Sequence, residues 1–182
     1  MLYERGARER IASFIVKISE TTRVNDDGPE ATVAGWREWI ALPDLGVPWV
    51  KAKLDTGARS SSIHAFDIDE FERDGVGWVS FAVHPWQRSE VDTVRCELPV
   101  VDRRAIRSST GHEEERLVVR TRLTVVGHDL GAELTPANRD EMGFRMLVGR
   151  EALRGLILVD PGRSYLGGRP HRATRRRNRG VA

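Results

Sequence analysis

A mainly β fold, built as a small closed or partly closed barrel behind an N-terminal helical or irregular arm, is what the sequence predicts. Three observations lead there. From Gly35 onward, short apolar segments alternate with polar residues at a period of two, the mark of half-buried strands. Gly, Pro and Asp separate them at short intervals. Helical periodicity is almost absent from the same region, and so many short strands must hide their edges by closure.

Taken in order, residues 8–20 come first, with Ile11, Ile15 and Ile18 at helical spacing and Phe14 beside them. Asn25-Asp26-Asp27-Gly28-Pro29 then reads as a loop, so residues 1–34 form an arm, and 35–168 the β domain. Trp36, Trp39, Ile40 and Leu42 mark a first strand, ended by Pro43-Asp44-Leu45-Gly46. Trp49–Leu54 alternates Val50, Ala52 and Leu54 with Lys51 and Lys53, and runs directly into Asp55. Trp78–Val83 repeats the pattern after the Asp74-Gly75 turn. Further strands are expected at Val94–Val101, Leu117–Val126, Ala132–Thr135, Met146–Val148 and Leu156–Val159, with one helical turn near Glu151–Arg154. The sheet is expected to be mostly antiparallel, and no internal repeat is visible.

Composition narrows the function classes. The 182 residues are 40% hydrophobic, enough for one core, and no run approaches the roughly 18–20 apolar residues of a membrane span. The start carries no secretory apolar run, which predicts a cytoplasmic protein without membrane contact. Cys96 is the single cysteine and cannot form an internal disulfide. The net charge of +2 hides a division. Residues 169–182 hold six arginines and no acid, which leaves 23 basic against 27 acidic residues, a net of −4, for the rest. That tail is expected to be disordered, with weak nonspecific contact to nucleic acid as its most it could offer. No aromatic residue interleaves with the arginines to stack bases.

The chemistry concentrates at Leu54-Asp55-Thr56-Gly57-Ala58-Arg59. A carboxylate at the end of a strand, before a glycine-containing turn, can be held by backbone N–H groups, which is one way to build an acid/base site. Thr56 would hold the loop through its hydroxyl and Gly57 would let the backbone come close to the acid. An ordinary Asx turn after a strand is the plain alternative. A second segment, Met146-Leu147-Val148-Gly149-Arg150-Glu151, reads as a buried strand ending at a glycine, with a helical turn after it.

Together these two segments resemble the retropepsin-like aspartic protease fold, where an Asp-Thr-Gly-Ala turn is complemented by a later apolar-apolar-Gly-Arg segment. From about Trp36 to Leu166 the chain is still more similar to one bacterial family of that fold, labelled ATP-dependent zinc proteases and associated with the ribosomal-protein glutamate ligase. Trp36-Arg37-Glu38-Trp39, Val100–Arg104, Arg107–His112, Leu147–Leu153 and Asp160–Leu166 carry that likeness beside the Asp55 turn. The resemblance implies a homodimer in which Asp55 meets its own copy, with Thr56 tying the two loops and Gly57 completing the catalytic turn. It also implies a flap, for which Arg107, Ser108, Ser109, Thr110, Gly111 and His112 are the candidates. With Ala58, Arg59 and Arg150 these form the expected substrate-binding set. Arginines around the cleft would favour an acidic peptide, which suits a partner in a glutamate-ligase system.

No cofactor is expected. His64, His84, His112, His128 and Cys96 lack metal-ligand spacing, though distant strands can bring ligands together, and His64 and His112 are the pair to watch. A phosphate loop is missing, so ATP would act through a partner. Cys96 within an apolar strand reads as an inert thiol, and Ser60, Ser61 and Ser62 have no evident base. Three readings follow: a homodimeric aspartic endopeptidase first, then a non-catalytic peptide-binding or accessory domain, then a metal-dependent hydrolase.

Overall fold

The computed structural model describes residues 30–107, 113–138 and 143–180, so the helix expected at 8–20 lies outside the described residues. Within them the strands run β1 (Thr32–Gly35), β2 (Arg37–Leu42), β3 (Val47–Asp55), β4 (Ser61–His64), β5 (Phe66–Arg73), β6 (Val76–Val83), β7 (Val94–Arg107), β8 (Glu113–Val125), β9 (His128–Ala137), β10 (Met146–Gly149) and β11 (Ile157–Asp160). A single helical turn, Arg150–Leu153, follows β10.

Alternation decides which side each strand presents. Along β3, Val50, Ala52 and Leu54 are buried, whereas Lys51, Lys53 and Asp55 are only partly covered. Six strands close on themselves in the order β2-β3-β10-β4-β9-β8, with Ala41 opposite Thr124 joining β8 back to β2. Ile40, Leu42, Val50, Leu54, Ile63, Leu123, Leu134, Met146 and Val148 fill the core. Closure removes the edges that so many short strands would otherwise expose, as their number implies. Beyond β8 the sheet continues through β7 and β6 to an outer strand, β5.

Most pairings are antiparallel, but β3 with β10, β4 with β9, and β1 with β11 are parallel. This arrangement shapes the site. β10 lies between β3 and β4, parallel to the first and antiparallel to the second. The chain leaving β3 must therefore cross over the end of β10 to enter β4.

Three parts of the fold differ from the reading of the sequence. A strand not expected from the sequence, Thr32–Gly35, pairs in parallel with Ile157–Asp160. β5 is a charged strand without apolar alternation; its ladder with β6 holds it, and exposed ion pairs of Asp67 with Arg95, Glu70 with Arg103 and Arg73 with Glu97 reach to β7 beyond. Charge on an outermost strand also discourages further pairing. The arginine tail, expected to be unfolded, carries a helix at Arg172–Arg177. Arg177 reaches Asp92 at 2.8 Å and Asn178 accepts the Gln87 N–H at 2.9 Å, so anchors from the body supply what the tail's composition lacks. Among the described residues no helix is long and apolar enough to cross a membrane.

Candidate active site

Asp55 ends β3 with Gly149 as its partner across the parallel pair. Its Oδ1 accepts the Gly57 N–H at 3.1 Å and the Ala58 N–H at 3.3 Å. Its Oδ2 lies 2.9 Å from Lys53 Nζ, and the Asp55 side chain keeps 24% of its exposure. Residues two apart on a strand share a face, so the Lys53–Asp55 pair follows from the alternation itself. Lys53 is the main cause holding the Asp55 carboxyl below its usual range; the two N–H groups assist, and partial burial opposes them. Thr56 and Gly57 are exposed at the tip of the turn.

The crossing over β10 explains Gly149. Its backbone is extended, with φ −83° and ψ 166°, so glycine is not required there for conformation. It is required for space: a Cβ would stand 2.5 Å from the Ser60 carbonyl oxygen and 2.7 Å from that of Arg59. Below the turn, the Gly149 N–H donates to Ser61 Oγ at 3.2 Å, and the Arg150 N–H donates to the Ala58 carbonyl at 2.8 Å. The Glu151 N–H donates to the Arg59 carbonyl at 3.2 Å. Arg150 also uses its guanidinium, with Nη1 donating to the Gly57 carbonyl at 2.9 Å. The segment after β10 is thus a bracket that fixes the backbone carrying Asp55.

A cleft of about 460 Å³ opens beside the turn, lined by Arg59, Ser60, Arg104, Arg120, Glu133 and Glu151 among others. Arg104 is engaged by Asp102 at 2.6 Å and Glu133 at 2.7 Å, and its guanidinium draws both carboxyls below their usual range. Arg59 has no carboxylate partner among the described residues. A smaller depression of about 290 Å³ touches Thr56, Arg150, Leu153 and Ile157.

Of the expected substrate-binding residues, Ala58, Arg59 and Arg150 therefore meet at the Asp55 turn. Ser108, Ser109, Thr110, Gly111 and His112 lie outside the described residues. Their flanks do not: β7 and β8 pair up to Arg107 opposite Glu113. Lys53 was missed as a site residue, although the strand period places it beside Asp55.

The remaining candidates fall elsewhere. His64 is buried in β4, His84 stacks on Phe66 at 4.3 Å, and His128 Nε2 is 2.7 Å from Thr32 Oγ1. Among the described residues no three His, Cys, Asp or Glu side chains converge as a metal ion would need. Cys96 is buried, and burial pushes its thiol up to about 11, which suits a packing role.

Comparison with known proteins gives three results. Residues 33–170 match the model of a RimB-like family, described as retropepsin-like aspartic endopeptidase RimB. Two curated relatives from Shewanella halifaxensis and Shewanella pealeana, each described as a probable alpha-L-glutamate ligase, are 51% identical over 133 residues. One from Desulfotalea psychrophila, described likewise, is 49% identical over 129 residues. These matches cover 71–73% of this chain but only 28–29% of the relatives' length. A crystal structure of Lpg0085 from Legionella pneumophila, described as of unknown function, aligns with TM-score 0.63 and 25% identity. That alignment covers 76% of this chain and 99% of the other.

Proposed function

The chain belongs to the RimB-like family of retropepsin-like aspartic endopeptidases, and on that premise we propose that it hydrolyses peptide bonds as a homodimer. One observation carries the proposal: Asp55 is cradled by backbone N–H groups on an exposed turn, with no second carboxylate bonded into that turn among the described residues. A second copy, related by a two-fold axis, would supply the missing acid.

The chemistry then follows from like charges in close contact. Two carboxyls brought together cannot both ionise cheaply, so they hold one proton between them. The ionised Asp55 takes a proton from water as the water oxygen bonds to the peptide carbonyl carbon. The protonated Asp55 of the other copy gives its proton to the carbonyl oxygen, forming a gem-diol. Collapse breaks the C–N bond: the first carboxyl protonates the leaving nitrogen, and the second recovers a proton from one hydroxyl. Lys53 has to loosen its hold on Asp55 as the proton-sharing pair forms.

Glutamate-rich peptides are the proposed substrates. Arg59, which has no carboxylate partner among the described residues, supplies a guanidinium at the cleft that matches a carboxylate. Relatives described as glutamate ligases support a place in the same system. Residues 107–112 are the proposed flap, with Thr56 joining the turns across the axis.

The test is cleavage of glutamate-containing peptides, read by mass spectrometry, with dimerisation followed by sedimentation. Asp55→Asn should abolish cleavage and leave the dimer intact. Full activity in that variant would refute the proposal. Binding of the peptides without cleavage by wild type would instead support a peptide-binding accessory domain, the reading that the Lys53–Asp55 ion pair favours.

A further inference from the structure

Beyond Asp55, the outer face of β2 and β3 gathers positive charge around one aromatic ring. The Arg37 guanidinium carbon lies 5.3 Å from the Tyr165 ring centre, Lys51 Nζ 6.0 Å, and the Arg169 guanidinium carbon 4.5 Å. Arg37 also covers Trp36 at 4.6 Å, and Lys51 approaches Phe144 at 5.2 Å. Among the described residues none of the three cations pairs with a carboxylate; Arg37 donates only to Ser164 Oγ, at 3.0 Å.

The fold holds Tyr165 in place at a cost. Its φ of +61° is a left-handed conformation that a tyrosine adopts only under constraint. The constraint is visible: its N–H donates to the Arg37 carbonyl at 2.9 Å. The next two N–H groups, of Leu166 and Gly167, donate to buried Glu38 at 2.8 and 3.2 Å. Cation–π attraction offsets part of the repulsion among three unpaired cations, but an anion between them would offset more.

We propose that Arg37, Lys51 and Arg169 around Tyr165 form an anion subsite for a carboxylate side chain of the peptide that Asp55 cleaves. The proposal rests on the reading of Asp55 as catalytic. Lys51 shares a strand face with Asp55 four residues along, roughly 13 Å at the rise of a β-strand, so a peptide extended alongside β3 would place its acidic side chain about four residues from the scissile bond. Lys53 bridges the two, directly across from Arg37 in the β2–β3 pair. A carboxylate on a peptide is favoured over nucleic acid because cations already cover the Tyr165 face, leaving no platform for a base.

The test separates this subsite from the chemistry at Asp55 by measuring binding in the Asp55→Asn chain. The probes are a fluorescein-labelled octaglutamate peptide, its octaglutamine counterpart and a uridine decamer of RNA. Lys51→Gln and Arg169→Gln, each added to Asp55→Asn, should weaken octaglutamate binding roughly three- to tenfold, as an exposed charge contact would. The effect should shrink with added salt and be absent for octaglutamine. Unchanged octaglutamate binding in both variants would overturn the subsite, and so would an equal loss for octaglutamine. Tighter binding of the RNA, with the same dependence on Lys51 and Arg169, would overturn the peptide assignment. Weakened octaglutamate binding in a protein that never cleaves would keep the subsite and remove the peptidase reading.

Discussion

Replacing Glu38 by glutamine should cost this domain a large part of its stability. Glu38 is fully buried in β2, 0% exposed, yet three backbone N–H groups converge on its carboxylate. Oε1 accepts from Gly35 at 2.7 Å and from Leu166 at 2.8 Å; Oε2 accepts from Gly167 at 3.2 Å. Glutamine keeps the shape and one oxygen, enough for the two bonds on the Oε1 side. Its amide nitrogen then faces the Gly167 N–H, donor against donor. The two surviving bonds lose their charge, and each bond to a charged group is worth about 1.5–3 kcal/mol, against roughly 1 kcal/mol when neutral. Adding one unsatisfied buried donor gives an expected loss of about 2–4 kcal/mol for Glu38→Gln, a sizeable share of the stability of an ordinary domain. Urea unfolding followed by fluorescence suits the measurement, since Trp36 and Trp39 flank the site. Hydrogen exchange should show the Leu166 and Gly167 amides losing protection first. A loss below about 1 kcal/mol, with both amides still protected, would refute the claim that these bonds tie the Tyr165 segment to the barrel.

Two further outcomes follow from the site. Gly149→Ala forces backbone against backbone, because the new Cβ would meet Ser60 and Arg59 carbonyl oxygens at 2.5 and 2.7 Å. It should lower stability by about 1–3 kcal/mol in urea and depress cleavage together with it; unchanged stability would show that the turn does not rest on β10. Lys53→Met removes the chief cause of the lowered Asp55 carboxyl, so its titration should move up in pH, read by carbon NMR of labelled aspartate. With the lowered value, Asp55 contributes stability that is present above the ordinary carboxylate range and is lost as pH falls through the folded-state value. Lys53→Met should therefore flatten acid unfolding in that window, whereas an unmoved Asp55 titration would dismiss the ion pair.

How far the sequence showed all this depends on the kind of interaction. β3 was legible because Val50, Ala52 and Leu54 alternate with lysines, and alternation is a local property. The Asp55 turn and the Met146–Gly149 strand were legible as segments, and their likeness to a known fold joined them. The parallel pairing that inserts β10 between β3 and β4 was not, since register between distant segments leaves no periodic trace. β5 was missed because its side chains are mostly charged and exposed, and its ladder with β6 leaves no apolar periodicity in the sequence. The helix at Arg172–Arg177 was missed because Asp92 and Gln87, some 80–90 residues earlier, anchor it. Glu38 entered the sequence reading only within the Trp36–Trp39 segment that carries the family likeness; only the fold brings residue 166 to it. Lys53 was within reach, because a strand puts residues two apart on one face.

If one active site needs Asp55 from two copies, mixing subunits must disable it. A fixed amount of wild type is equilibrated with increasing Asp55→Asn chain, and cleavage of a glutamate-rich peptide is followed. Activity should fall towards zero as mixed dimers, each one carboxylate short, replace the wild-type pairs. Activity that stays constant as the variant is added would contradict the shared site, since each chain would then carry a complete site of its own.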